Sequence, residues 1–306
     1  HPGRGGTGAQ RRDLAVGSLA GARGLSAPAC DTARMHIDTV SFRGTPCIRL
    51  QTEGASALVS LHGAQVLSWR LADGRERLFL SERAVFDGNT AIRGGIPVIF
   101  PQFGERGLLR KHGFARNRSW TFAGVEGDQA VLALSGDGSD AGWPHPFLAR
   151  LRIGLAGERL QVALEIGNTG TTPFAFTAAL HSYLRVDDIA HAAIEGLQGC
   201  DFEDSVNGGT LHRQHDYEVT FDGETDRIYN DVVAPLALLD GAHRLDIEQD
   251  GFGDVVVWNP GAHLCARIAD LAPDDWKRFA CIEAAQVLQP VVLGPGERWS
   301  GTQRLG

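Results

Sequence analysis

The sequence predicts an all-β protein, a large antiparallel β-sandwich. Three observations carry this. Short apolar runs alternate with a period of two, most clearly in RLQVALEIG (159–167). There Leu160, Val162, Leu164 and Ile166 alternate with Gln161, Ala163 and Glu165. Gly, Asp, Asn and Pro punctuate these runs at short intervals. No segment carries a helical stripe of three turns, and APDDWKRF (272–279) holds a single turn at most. Many short strands without long helices pack as a sandwich or barrel, here a double-sheet sandwich.

Residues 1–34 differ from everything after them. They hold seven Gly and five Arg against two Asp, with no periodic apolar pattern. They are expected to be a disordered tail, or an extension ahead of a natural start at Met35, the only methionine. A targeting peptide is the alternative, although LAVGSLAGA falls short of a secretory apolar core. From Met35 onward, residues 35–306 are expected to form one domain without internal repeats. Its strands begin with HIDTVSF, PCIRLQT, SALVSL and AQVLSWRL, between residues 36 and 71. WTFAGVE and QAVLALS follow, then FLARLRIGLA (147–156), which forms a hairpin with RLQVALEIG across an AGE turn. HRLDIEQ, DVVVWN and ERWSGTQRL complete the series.

Composition excludes several functions. No run approaches the roughly 18 apolar residues of a membrane span, so no membrane partner is expected. A formal charge of −8 and a pI of 5.8 argue against a general binder of nucleic acid. The five cysteines show no zinc-type or CxxC spacing and are expected to be reduced thiols of a cytoplasmic protein. There is no GxxxxGK[ST], GxSxG or HExxH. His212 and His215 form an HxxH beside Asp216, read as a solvated loop and not a metal site.

The densest stretch is IRGGIPVIFPQFGERGLLRKHGFARNRSW (92–120). Arg93 precedes two glycines and a Pro-bounded apolar run, which should be buried with the arginine at its mouth. Arg106, Arg110, Lys111, Arg116 and Arg118 surround His112, with only Glu105 opposing. Guanidinium forks suit a phosphate dianion, and lysine adds a point charge. Residue types alone also fit a solvated loop. His181 closes an apolar run in FTAALHSYLRVDDI (176–189), a place where satisfied core histidines are common. Glu283 lies in the strand-like RFACIEAAQV (278–287). Facing inward, it is expensive to bury unless paired, and its raised pKa suits a general base. Facing outward, it is ordinary. Asp226 stands in GETDRIYND (223–231), by default a surface turn.

In combination, RGGIPVIFPQFG, HGFARNRSW, LHSY, ETDRIY, VVWNP and CIEAA, in this order, resemble the aldose 1-epimerase superfamily and within it the hexose-6-phosphate mutarotase branch. The resemblance runs from about Met35 to the C-terminus. It implies a galactose-mutarotase-like supersandwich, no cofactor or metal, and acid/base exchange of the anomers of a hexose 6-phosphate. It assigns Glu283 as general base, His181 as general acid and His112 as a second active-site histidine. Arg93 and Arg116 correspond to substrate-binding arginines, and Asp226 to an acid that binds sugar hydroxyls. Lys111 replaces the usual Gln, and CIEAA replaces CVEPG. The second change removes a Pro-Gly turn, so the backbone after Glu283 is expected to run differently. Lys111 still suits phosphate. The partner implied is a small molecule, and the chain is expected to act as a monomer. The alternatives are a mutarotase for unphosphorylated sugars and a non-catalytic carbohydrate-binding protein on the same scaffold, with a sugar lyase or hydrolase behind both.

Overall fold

The computed structural model describes residues 35–306. The expected tail or extension at 1–34 lies outside the described residues. The described body consists of three antiparallel sheets. The first is a four-stranded meander of His36–Phe42, Thr45–Gln51, Ala55–Ser60 and Val66–Leu71. These are the first four strands expected from the alternation, to within two residues.

The second sheet has nine strands. It is built around the hairpin of Pro146–Ala156 and Arg159–Asn168, whose ladder runs from Phe147 opposite Asn168 to Ala156 opposite Arg159. Period two turns Leu151, Ile153, Leu164 and Ile166 inward, where all four are fully buried. Each contributes about 1.5–3 kcal/mol by leaving water. Arg150, Arg152 and Glu165 take the other face and form ion pairs there.

The third sheet has eight strands and carries the site. Its order is Thr210–Arg213, Asp201–Asp204, Thr225–Tyr229, Asp254–Asn259, Phe279–Leu293, Phe174–Leu180 and Val98–Ile99, with Tyr183–Arg185 also paired to Phe279–Leu293. Ile282 and Ala284 join the main core with residues of the nine-stranded sheet. The sheets are also tied by the Gln303 amide, which donates to the Ile282 carbonyl at 3.0 Å. Alternation then turns Cys281, Glu283 and Ala285 to the opposite face. The register sets Val256 opposite Glu283, Trp258 opposite Cys281, and Asp226 opposite Trp258.

One expectation is corrected. GETDRIYND is not a surface turn: Thr225–Tyr229 is an interior strand with Ile228 and Tyr229 fully buried. Period two puts Asp226 and Ile228 on the cleft face and turns Tyr229 into the main core. After Glu283 no turn replaces the missing Pro-Gly. Ala284 and Ala285 pair on both sides, and the strand continues to Leu293. A register irregularity follows, where the Asp254 carboxylate accepts the Val287 and Leu288 N–H groups at 2.7 and 2.8 Å. His212 lies in an exposed strand, and no cluster of metal-ligating side chains occurs among the described residues. The helix Gly261–Cys265 has five residues, and no helix among the described residues is long and apolar enough to cross a membrane.

The two glycines after Arg93 are sterically required. Gly94 and Gly95 have φ of 109° and 63°. A Cβ on Gly95 would sit 2.1 Å from the Val66 carbonyl oxygen, and one on Gly94 2.4 Å from that of Phe79. Gly95→Ala is expected to cost about 2–4 kcal/mol, read as a lowered denaturant midpoint with unchanged slope. A midpoint equal to the unsubstituted chain's would refute this packing.

Candidate active site

The structure brings His112, His181, Glu283, Arg93, Lys111, Arg116 and Asp226 to one cleft of about 500 Å³ on the face of the eight-stranded sheet turned away from the main core. Its walls are set by backbone. Ile96 to Pro101 are buried as expected, and Val98–Ile99 pairs with Ala179 and Leu180 as an edge strand. The His181 N–H donates to the Pro97 carbonyl at 3.0 Å, which fixes that histidine beside the edge. The loop from Gly104 to Lys111 is closed by reciprocal bonds. The His112 N–H donates to Gly104 at 2.9 Å, and the Gly104 N–H donates to His112 Nδ1 at 3.2 Å. The Gln102 amide holds the same loop through Gly104 and Leu109. Because Nδ1 accepts, the ring proton of neutral His112 is on Nε2. Burial, aided by Arg116, keeps His112 well below the ordinary histidine pKa, so the ring stays neutral and donates from Nε2.

His181 and Glu283 meet at the cleft floor, with Nε2 to Oε1 at 3.2 Å. They are 7% and 1% exposed, which decides their chemistry. Burial pushes Glu283 well above the carboxylate range and His181 well below the imidazole range. Asp226 adds to the first shift, and Arg116 and Arg93 to the second. The pair therefore favours a neutral overall state over a wide pH range, with one proton shared along the contact. Glu283 Oε2 and His181 Nδ1 have no protein partner among the described residues. The His181 ring stacks on Tyr183 at 4.8 Å and 13°, with the edges of His112 and Trp258 at 5.6 and 5.9 Å.

The structure divides the basic cluster. Arg106 pairs with Glu203, and Arg118 pairs with Asp140 while lying 4.3 Å over the Phe114 ring. Arg110 faces a different depression. Arg93 donates from Nε to Asp270 at 3.1 Å and from Nη1 to the Tyr183 hydroxyl at 3.0 Å. Lys111 and Arg116 form no ion pair among the described residues, and Arg116 donates only to the Lys111 carbonyl, at 3.0 Å. Burial draws Arg116 down to about 10, so it remains charged at neutral pH.

Asp226 faces the cleft beside Glu224 and Ser205, and burial pushes its pKa up to about 6 despite the opposing Lys111. Phe103, Ile228, Val256, Trp258, Leu264 and Ile268 supply apolar wall. Sequence reasoning did not single out Trp258, Tyr183 or Asp270. Trp258 is half-buried on the cleft side of an alternating strand, and Tyr183 follows His181 by two residues. Period two offered a signal for both. Asp270 offered none, since its partner Arg93 is 177 residues away. The arrangement can remove a proton from one hydroxyl and deliver one to a neighbouring oxygen of a small polyol, with apolar side chains against its carbon face.

Comparison with known proteins agrees with this chemistry. The aldose 1-epimerase family model matches residues 46–306. A protein of Cenchrus ciliaris named "Putative glucose-6-phosphate 1-epimerase" is 35% identical over 264 residues, covering 80% of this chain and 79% of that protein. One of the same name from Salmonella typhimurium is 36% identical over 245 residues, covering 76% and 81%. The crystal structure of a "putative mutarotase (YeaD)" from Salmonella typhimurium superposes with a TM-score of 0.78 at 30% identity, covering 88% of this chain and 92% of that one. With the family model spanning nearly the whole described body, and the fold shared with that Salmonella protein, this chain belongs to the aldose 1-epimerase family and is an isomerase.

Proposed function

We propose that the chain interconverts the α and β anomers of a hexose 6-phosphate, glucose 6-phosphate first among them, acting as a cytoplasmic monomer. The observation that carries this reading is the His181–Glu283 contact at the floor of a cleft that also presents Lys111 and Arg116, which have no carboxylate partner among the described residues. The names of the relatives point the same way. The four cysteines among the described residues, Cys47, Cys200, Cys265 and Cys281, are free thiols, which supports a reducing compartment.

In this mechanism, one proton moves along the 3.2 Å contact and turns the neutral pair into carboxylate and imidazolium. Glu283 takes the proton of the C1 hydroxyl. The C1–O5 bond breaks as the C1 carbonyl forms, and His181 delivers its proton to O5. Rotation about C1–C2 presents the other carbonyl face. Closure reverses both transfers, so every proton returns and no oxidant or reductant is needed. His112 donates from Nε2 to a sugar oxygen, and Asp226 accepts from a hydroxyl. Lys111 and Arg116 hold the phosphate, Arg116 as a fork and Lys111 as a point charge. Each positioned acid or base contributes about 10²–10⁴-fold, sufficient for a reaction that already proceeds slowly in water.

The reading is tested by NMR exchange between the two C1–H resonances at equilibrium. Exchange should accelerate with enzyme, and kcat/KM should favour glucose 6-phosphate over glucose. Arg116→Ala or Lys111→Ala should raise KM for the phosphate ester about 10–100-fold, the loss of one charge-assisted bond. Equal kcat/KM for both sugars, insensitive to these changes, would favour a mutarotase of free sugars. Saturable binding without acceleration would favour a carbohydrate-binding protein.

Glu283→Gln should remove about 10²–10⁴-fold of the acceleration while raising the melting temperature at neutral pH. The folded pKa of Glu283 lies above its ordinary value of 4.5. Stability linked to its bound proton is therefore complete below 4.5 and lost as pH rises through the folded value, whereas the amide loses nothing. The melting-temperature difference should grow with pH across that window. A constant difference would contradict the burial argument.

The pH profile follows from His181. Activity fails in acid when both members of the pair are protonated, and the lowered His181 pKa moves that limb below the ordinary 6.5. The limb belonging to the pair should therefore be centred below pH 6.5, and protonation of Asp226, at about 6, should add to the fall there. An acid limb centred above pH 6.5 would contradict this assignment.

A further inference from the structure

We propose that Gln65 and Asp270 are positioning residues for Arg93: Gln65 fixes its backbone and Asp270 fixes its guanidinium, so that one preset part of the fork is offered to the substrate. The inference rests on the reading of Arg93 as a residue that holds the substrate, and it names what holds Arg93. Gln65 is fully buried. Its side-chain amide donates to the Ile92 carbonyl at 3.0 Å and to the Gly94 carbonyl at 2.5 Å, one on each side of Arg93. The carbonyl of Arg93 itself accepts the Ser81 N–H at 3.1 Å. Every carbonyl from Ile92 to Gly94 is therefore held. The network also decides which way the Gln65 amide points, because the reversed amide would set its oxygen against two carbonyl oxygens. A clamp is needed at this place. Gly94 and Gly95 follow Arg93, and glycines leave a backbone its widest freedom.

The side chain is held as well. Asp270 accepts Arg93 Nε–H at 3.1 Å, and the Tyr183 hydroxyl accepts from Nη1 at 3.0 Å. Arg93 lines the cleft with its side chain only 26% exposed. Nη2 has no protein acceptor among the described residues, so that edge of the fork is left for a ligand oxygen. The segment carrying Asp270 is docked on the same support. Arg83 Nη1 donates to the Leu271 carbonyl at 3.2 Å, and Ser81 Oγ donates to Asp275 at 3.3 Å. Ser81 thus ties the two halves of the clamp together. Neither Gln65 nor Asp270 lines the cleft, so both act through Arg93. A long side chain that is ordered beforehand loses less freedom when the substrate arrives.

The test is a double-mutant cycle in the full chain, read by anomer exchange of glucose 6-phosphate. Arg93→Ala should raise KM. Gln65→Met and Asp270→Ala should each raise KM about threefold to tenfold with kcat within about twofold, the cost of ordering one long side chain at the moment of binding. Added to Arg93→Ala, neither should raise KM further. Gln65→Asn, too short to span both carbonyls, replaces Gln65→Met should that variant fail to fold. Without substrate, the Arg93 Nε–H NMR resonance should shift in the Gln65 variant, although Gln65 has no hydrogen bond to the guanidinium. KM effects that add in full to that of Arg93→Ala would overturn the clamp, and so would an unmoved Arg93 resonance. Should Arg93→Ala leave KM unchanged, the reading of Arg93 as a substrate-holding residue falls, and the resonance still decides whether Gln65 fixes it.

Discussion

A carboxyl group at the centre of a β-sheet, 1% exposed and in contact with a buried imidazole, is the constraint around which the rest of the site is arranged. Water cannot solvate Glu283, so its charged form is disfavoured unless protein groups replace that solvation. One proton shared with His181 keeps the pair neutral. The strand Phe279–Leu293 is paired on both sides at this point, by Asp254–Asn259 and by Phe174–Leu180 and Tyr183–Arg185, which fixes the backbone that carries Glu283. The carboxyl is held by the ladder, and the imidazole by its backbone bond to Pro97 and the Tyr183 stack. A rigid sheet is a suitable carrier for two groups that must exchange protons with adjacent atoms of a small molecule.

Electrostatics around this pair are sorted by pairing more than by total charge. The chain has a net charge of −8, yet the cleft presents cations. Arg106, Arg118 and Arg93 each have a carboxylate of their own. Lys111 and Arg116 have none among the described residues, and they add to the burial that keeps the two histidines neutral. An anionic ligand therefore meets a local field set by two groups, with the acidic remainder of the protein screened over about 8–10 Å of salt solution. One of the chain's two lysines sits in that field, beside His112.

The glycines follow from the same geometry. Gly113 has a φ of 67°, and a Cβ there would lie 2.3 Å from the Phe100 carbonyl oxygen. Its close approach lets the HGFAR segment lie against the buried IPVIFP run. That contact places His112 and Arg116 on the same side of the cleft. The site is thus a consequence of two backbone segments packed closer than side chains would permit, set against one face of a sheet.

Fold class was legible because alternation is a local property: a strand that buries one face must repeat every two residues, as Leu160 to Ile166 do. The strands at Ala192–Glu195, Thr210–Arg213 and Glu218–Thr220 are too short to carry such a pattern and were not legible. Thr225–Tyr229 was misread, because its Asp and Arg resemble turn residues when their partner strands are unknown. The candidate residues were visible as motifs, but residue type could not decide whether Glu283 faced in or out. That depended on register with Val256 and on which sheet face Ile282 and Ala284 buried. Asp270 was invisible for the same reason, being joined to Arg93 across 177 residues. The sequence by itself determined the alternating strands and the chemical types available. Tertiary structure alone decided which of them share a proton, a charge or a stack, because those energies act over a few ångströms between groups that the chain brings together only on folding.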